Sequence, residues 1–246
     1  GEPLGAHQGG YTPFELDLTK AAKFGRDQVL VLRVDDTPHP FKLEGKQGYG
    51  KARGLWQTVY LEARPALHVE SVEFHPDPAL KRVEALVRLS GKASDGAVVE
   101  LSVPTGGPGD PSVSEAQALV AVGGREARLT LPLGERPRLW SLEDPHLYDA
   151  TLTLTAGKDV DRVSSYFGLR KLGVEKPAGL GHPYVSLNGK PVYLQMALDQ
   201  SWNPDGYWTW PTDEAMREEV LIARRLGLNT IRTHVKVEVP RKLYWA

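Results

Sequence analysis

Two short stretches near the carboxyl end of this chain hold the residue types that bind polar substrates. The apolar run 192–197 reads as a strand and is followed by Asp199 and Gln200. The run 228–232 reads as a second strand, ending in Arg232 and followed by His234 and Lys236. Between them lies Trp202-Asn203-Pro204-Asp205-Gly206-Tyr207-Trp208-Thr209-Trp210, with four aromatics in nine residues. Such rings can wall a sugar, whose C–H faces are apolar and whose edges are polar. The same rings would equally serve as a small core under a long loop, since Trp is often substantially buried. Arg232 could orient a carboxylate and hold it ionised, or close an ordinary strand-end salt bridge. His234 reads equally as a hydrogen-bonded structural residue, and Lys236, with Glu238, as part of an amphipathic extension of alternating valines.

These side chains need a scaffold that brings the two strand ends together. Thr212 is placed to cap a helix whose first turn holds Asp213 and Glu214, matching the positive end of the dipole. Met216, Val220 and Ala223 recur at helical spacing on one face. Arg224 and Arg225 sit in the last turn, and Gly227 stands where a left-handed cap belongs. Strand, helix, strand at this spacing is a βαβ unit with a parallel pair. Parallel β/α units collect function at the carboxyl ends of their strands. Asp199, Gln200, Arg232, His234 and Lys236 therefore fall on one rim.

Other chemistries are missing. The chain has no cysteine, which removes disulfides, thiolate nucleophiles and Cys-ligated metals. Its seven histidines, at 7, 39, 68, 75, 146, 182 and 234, show no ligand spacing, so neither a metal nor a cofactor is expected. No Gly-x-Ser-x-Gly elbow, zinc helix or dinucleotide loop occurs. Lys plus Arg total 30 against 31 Asp plus Glu, a net charge of −1, so no basic field exists to hold nucleic acid or an anionic membrane. No apolar run reaches the 18 residues that would mark a membrane span.

At 246 residues the chain has room for one to two domains at about 150 residues each. The hydrophobic period changes once, near residue 190. Before it, apolar and polar residues alternate, as half-buried antiparallel strands require. Seven such runs fit roughly at 67–74, 83–89, 97–103, 117–122, 126–131, 147–155 and 159–167, the number expected of an immunoglobulin-like sandwich. Residues 29–34 and 56–61 supply further strand material, too little to make a stable sheet alone. Leu187-Asn188-Gly189-Lys190 carries Asn-Gly, a hairpin signal because both turn positions need positive φ. Residues 240–246 read as the opening of a helix, with Pro240 near its first turn.

Taken in order, these motifs resemble glycoside hydrolase family 2, the family of β-galactosidases, β-glucuronidases and β-mannosidases. Gly9-Gly10-Tyr11-Thr12-Pro13-Phe14 and Gly54-Leu55-Trp56-Gln57-Thr58-Val59-Tyr60-Leu61 are similar to the end of its jelly-roll domain. Leu139-Trp140-Ser141-Leu142-Glu143-Asp144-Pro145-His146-Leu147-Tyr148 and Phe167-Gly168-Leu169-Arg170 are similar to its immunoglobulin-like domain. Leu187-Asn188-Gly189-Lys190-Pro191-Val192-Tyr193-Leu194 and Leu226-Gly227-Leu228-Asn229-Thr230-Ile231-Arg232-Thr233 are similar to the opening of its catalytic barrel. The resemblance implies a mainly β chain in three parts. Residues 1–63 would end a jelly-roll sugar-binding domain, 64–172 form an immunoglobulin-like β-sandwich, and 173–246 begin a TIM-barrel catalytic domain.

The resemblance also implies a retaining β-glycosidase, in which two glutamates about 5–5.5 Å apart act as acid and nucleophile. The family's acid Glu follows an Asn, and no Asn-Glu pair occurs here. Residues 173–246 supply 74 of the roughly 250 residues a complete barrel needs. Both catalytic glutamates are therefore expected downstream. Arg232 matches the arginine that orients the family's nucleophile. Asp199, Trp202, Trp208, His234 and Lys236 are the expected substrate contacts, with a carbohydrate as the partner. A second copy of the chain or a complementing chain is left open. The alternative is a non-catalytic carbohydrate-binding or immunoglobulin-like interaction module.

Overall fold

A computed structural model of the chain describes residues 2–37, 54–94, 96–107, 109–179, 181–200, 203–207, 209–234 and 237–246. The chain divides into two compact units, Leu61–Tyr193 and Gly1–Tyr60 together with Leu194–Ala246.

Period-two alternation builds the first unit. Strands β1 (Val69–Pro76), β2 (Arg82–Leu89), β3 (Val98–Pro104), β4 (Val113–Leu119), β5 (Glu126–Pro132), β6 (Tyr148–Ala156) and β7 (Asp159–Phe167) follow one another with turns between them. They form two antiparallel sheets, ordered β1-β2-β5 and β4-β3-β6-β7. Every second side chain of β2 (Val83, Ala85, Val87, Leu89), β3 (Val99, Leu101, Val103), β5 (Ala127, Leu129, Leu131) and β6 (Tyr148, Ala150, Leu152, Leu154) enters one buried cluster fed by both sheets. Those residues are the apolar members of the alternating runs, so pattern and core agree. The fourth strand lies earlier than the predicted 117–122, because β4 pairs along the whole of β3 from Val98↔Leu119 to Pro104↔Val113.

A third sheet, ordered β10-β9-β8, joins β8 (Leu172–Glu175), β9 (Tyr184–Leu187) and β10 (Lys190–Pro191). The Asn-Gly turn forms as read, with Asn188 at φ 52° and Gly189 at φ 77°. The recognisable motifs of this unit converge. Asn188 Nδ2 donates to the Trp140 carbonyl at 3.0 Å, and Lys171 N donates to Asn188 Oδ1 at 2.9 Å. Trp140 N donates to the Leu169 carbonyl at 3.0 Å, and the Arg170 guanidinium lies 4.5 Å from the Trp140 ring centroid. A Cβ on Gly168 would stand 3.3 Å from the indole, so the close approach favours glycine there. Arg138 grips Asp144 with two hydrogen bonds of 2.7 and 2.6 Å, and Tyr148 Oη accepts from Arg138 N at 2.7 Å. These contacts fix the chain path between the strands.

Residues 29–34 and 56–61 enter no sheet among the described residues, contrary to the strand reading. Alternation alone cannot make a ladder. Without a partner sheet Val29 and Val31 stand 88% and 82% exposed. Trp56 Nε1 donates to the Gly10 carbonyl at 2.5 Å, and the Tyr11 and Trp56 rings meet edge to face with centroids 5.9 Å apart.

The βαβ unit forms from β11 (Met196–Asp199), α1 (Asp213–Arg225) and β12 (Thr230–Thr233), with the strands parallel and Asp199 level with Thr233. The first strand starts later than the predicted 192, because Val192 N donates to the Val185 carbonyl and so extends the preceding hairpin. Asn229 Oδ1 then accepts from Gln195 N at 2.9 Å, setting the register in which β12 meets β11. Thr212 caps α1, its hydroxyl accepting from Ala215 N at 3.1 Å, and Gly227 ends the turn after it at φ 81°. A second helix, α2 (Pro240–Trp245), follows. Among the described residues no helix is long and apolar enough to cross a membrane.

Candidate functional site

Parallel pairing places Asp199 and His234 at the same end of β11 and β12. The backbone seals them there, as His234 N donates to the Asp199 carbonyl at 2.9 Å. The neighbouring side chains are also joined, with Gln200 Nε2 and His234 Nδ1 3.2 Å apart. His234 thus has a partner that holds its ring. Arg232 lies on β12 opposite Leu198 and is exposed, outside the buried cluster described next. Trp202, Trp208 and Lys236 lie outside the described residues.

The densest chemistry at this end gathers around a residue the sequence did not single out. Lys242, on α2, is only 3% exposed. Its ammonium donates to Asp199 Oδ2 at 2.6 Å and lies 3.5 Å from Glu238 Oε2. Glu219 Oε2, from α1, also lies 2.6 Å from Lys242 Nζ, but without hydrogen-bond alignment, so that contact is an ion pair only. The Trp210 ring centroid is 4.4 Å from the same nitrogen, completing a cation–π contact. Burial pulls the Lys242 pKa down. The Asp199 hydrogen bond, with the charges of Asp199 and Glu219, outweighs burial, so the net shift is upward and the amine stays protonated at neutral pH. One cation therefore ties together β11, α1, the approach to α2 and the aromatic loop. Trp210 Nε1 is buried and has no hydrogen-bond partner among the described residues.

The loop that brings Trp210 here is tightly made. Asn203 and Tyr207 bridge with backbone bonds of 2.9 and 2.8 Å, and Asn203 Oδ1 accepts from Asp205 N and Gly206 N at 2.9 and 3.0 Å. Gly206 is required by space, since a Cβ there would stand 2.4 Å from the Thr209 carbonyl oxygen.

A second polar contact docks α2 against α1. Asp213 accepts from Arg241 Nε and Nη2 at 2.6 and 2.9 Å and from Trp245 Nε1 at 3.0 Å. The Arg241 hydrogen bond, then that of Trp245, hold its carboxyl down to about 2, against 3.8 for a free aspartate. A depressed acid stabilises the fold fully above its unfolded pKa and loses that contribution as pH falls through the folded value. The contact between the helices is therefore expected to weaken between about pH 4 and 2. Asp213→Asn should flatten that stretch of an acid titration followed by tryptophan fluorescence. An unchanged titration would mean that Asp213 does not carry the acid response.

Lys242 and Glu219 are the residues of this cluster that sequence reading gave no role, whereas Trp210 was read in the aromatic loop and Glu238 in an amphipathic extension. The one local signal is the Glu238–Lys242 spacing of i, i+4, a pairing geometry common on helix surfaces. Among the described residues no three His, Asp or Glu side chains converge as metal ligands.

Comparison with known proteins gives a consistent likeness. Residues 67–170 match the model of "Glycosyl hydrolases family 2". A β-glucuronidase of Bacteroides fragilis is 26% identical over 93% of this chain and 34% of its own length. A β-galactosidase of Thermoanaerobacter pseudethanolicus is 25% identical over 95% of this chain and 31% of its own. The chain spans about a third of the length of these relatives. Among solved structures, a glycosyl hydrolase family 2 member from Bacteroides cellulosilyticus superposes with TM-score 0.70, covering 98% of this chain and 33% of its own at 20% identity. A family 2 β-galacturonidase from Eisenbergiella tayi, bound to glycerol, superposes with TM-score 0.64 over 85% of this chain and 36% of its own at 21% identity. At such identities the structural likeness speaks for the fold alone.

Proposed function

From the premise that this chain is a relative of the family 2 glycosyl hydrolases, we propose that it forms part of a retaining β-glycosidase acting on O-glycosidic bonds of a carbohydrate. In this reading the two sheets of 64–172 are the immunoglobulin-like sandwich, and residues 1–63 close a jelly-roll sugar-binding domain. The pair β11–β12 with α1 opens an incomplete (β/α)8 barrel. The observation that carries the reading is the parallel pair itself, with Asp199 and His234 side by side at the carboxyl ends of its strands. That is the end at which (β/α)8 barrels place their active sites.

Within that site Asp199 contacts substrate hydroxyls. A carboxylate offers about four lone-pair positions, so its bond to Lys242 does not exhaust it. His234 stands at the same strand end, Trp202, Trp208 and Lys236 are the further substrate contacts in this proposal, and Arg232 orients the nucleophile supplied by a later strand. Both catalytic glutamates lie outside this chain. Glu214, Glu218 and Glu219 stand on α1, where Glu218 pairs with Arg225 and Glu219 with Lys242.

The chain alone is expected to bind phenyl β-D-glucuronide or phenyl β-D-galactoside weakly without hydrolysing it. Saturation-transfer NMR should detect the binding, and Asp199→Asn should weaken it about tenfold, the loss of one hydrogen bond to a charged group. Release of phenol that disappears in Glu214→Gln or Glu218→Gln would sink the assignment of catalysis to residues beyond this chain.

A further inference from the structure

Resting on the reading of Asp199 as a substrate contact, we propose that Lys242 is the positioning residue of this subsite, its ammonium fixing the Asp199 carboxylate at the carboxyl end of β11. The geometry is specific. Lys242 Nζ is buried and directed by its bond to Asp199 Oδ2 at 2.6 Å, with Glu219 and Glu238 on its remaining sides at 2.6 and 3.5 Å. A compact ammonium with three donors suits several acceptors around one point, where a planar guanidinium does not. The side-chain torsions of Asp199 are thereby set by a residue on another element. Lys242 itself is held from both helices, because α2, a helix of only six residues, is pinned to Asp213 through Arg241 and Trp245. Lys242 reaches no reacting atom in this scheme. It acts through Asp199.

The absence of cysteine makes the test clean. Lys242→Cys removes the ammonium, and alkylation with 2-bromoethylamine in urea followed by refolding restores an ammonium of nearly the same reach. Wild-type protein carried through the same cycle is the control. Two quantities are read, the side-chain carboxyl ¹³C resonance of Asp199 and the Kd for phenyl β-D-glucuronide and phenyl β-D-galactoside. Lys242→Cys should move the resonance and weaken binding about tenfold, and aminoethylation should return both to within about twofold of wild type. An unmoved Asp199 resonance overturns the proposal, as does a moved resonance with unchanged affinity. If neither sugar binds even the wild-type chain while the resonance responds to Lys242, the positioning stands and the substrate reading of Asp199 falls. If Lys242→Cys does not fold, Asp199→Asn decides from the other side. The ¹⁵Nζ resonance of Lys242 must then shift, and an unmoved one overturns the pairing.

Discussion

Replacing Lys242 with Met should destabilise the unit that holds α1 and α2 by about 3–5 kcal/mol, the range for breaking a buried ion pair from one side. The side chain fills a similar volume, so the loss is electrostatic rather than a cavity. It takes the Lys242 ammonium away from the Asp199 and Glu238 carboxyls, whose side chains are 12% and 6% exposed. Burial of an uncompensated charge is costly, whereas an apolar residue among neutral partners is not. The triple variant Lys242→Met, Asp199→Asn, Glu238→Gln should therefore recover most of the loss. Urea unfolding followed by tryptophan fluorescence reads both. A loss under about 1 kcal/mol for the single variant would mean that the carboxylates find other partners. The pH sense is also fixed. Because the Lys242 pKa is raised in the folded protein, its stabilisation is complete below the ordinary lysine value of 10.5 and is lost as pH rises through the higher folded value.

Leu152→Ala should cost the two-sheet unit about 2–5 kcal/mol, the range for truncating a buried leucine. Leu152 is fully buried on β6, which is paired on both edges, with Leu152 opposite Leu101 on β3 and Val163 on β7. A strand held on both sides cannot shift to fill the void, so cavity and lost transfer energy add. Val160→Ala on the same sheet is the control. That side chain is 52% exposed, and its loss should stay within about 0.5 kcal/mol. Equal effects at the two positions in urea titrations would mean that the cluster fed by both sheets is not the unit's core.

The motifs that carry the resemblance have mostly structural duties. Trp140, Gly168, Arg170 and Asn188 meet in one knot, and Arg138, Asp144 and Tyr148 in another. Their spacing is recognisable because each fixes a chain path that the whole fold needs. The residues flagged for chemistry are split by the structure. Asp199 and His234 come together at one strand end, while Arg232 on β12 is exposed. Nothing in the local sequence marks Lys242 or Glu219 as belonging together.

What the sequence determined was everything governed by short range. Period-two alternation carries the strands of 69–167, because successive side chains point to opposite faces. Thr212, Gly227 and Asn188-Gly189 place helix ends and a hairpin turn, because a cap or a positive φ is settled within a few residues. Tertiary structure alone decided whether 29–34 and 56–61 find a ladder, and which carboxylates surround Lys242. A ladder needs a neighbouring strand. Charged side chains far apart in sequence carry no mark of being neighbours until packing removes the water between them. Residues 199, 210, 219, 238 and 242 became one site only then.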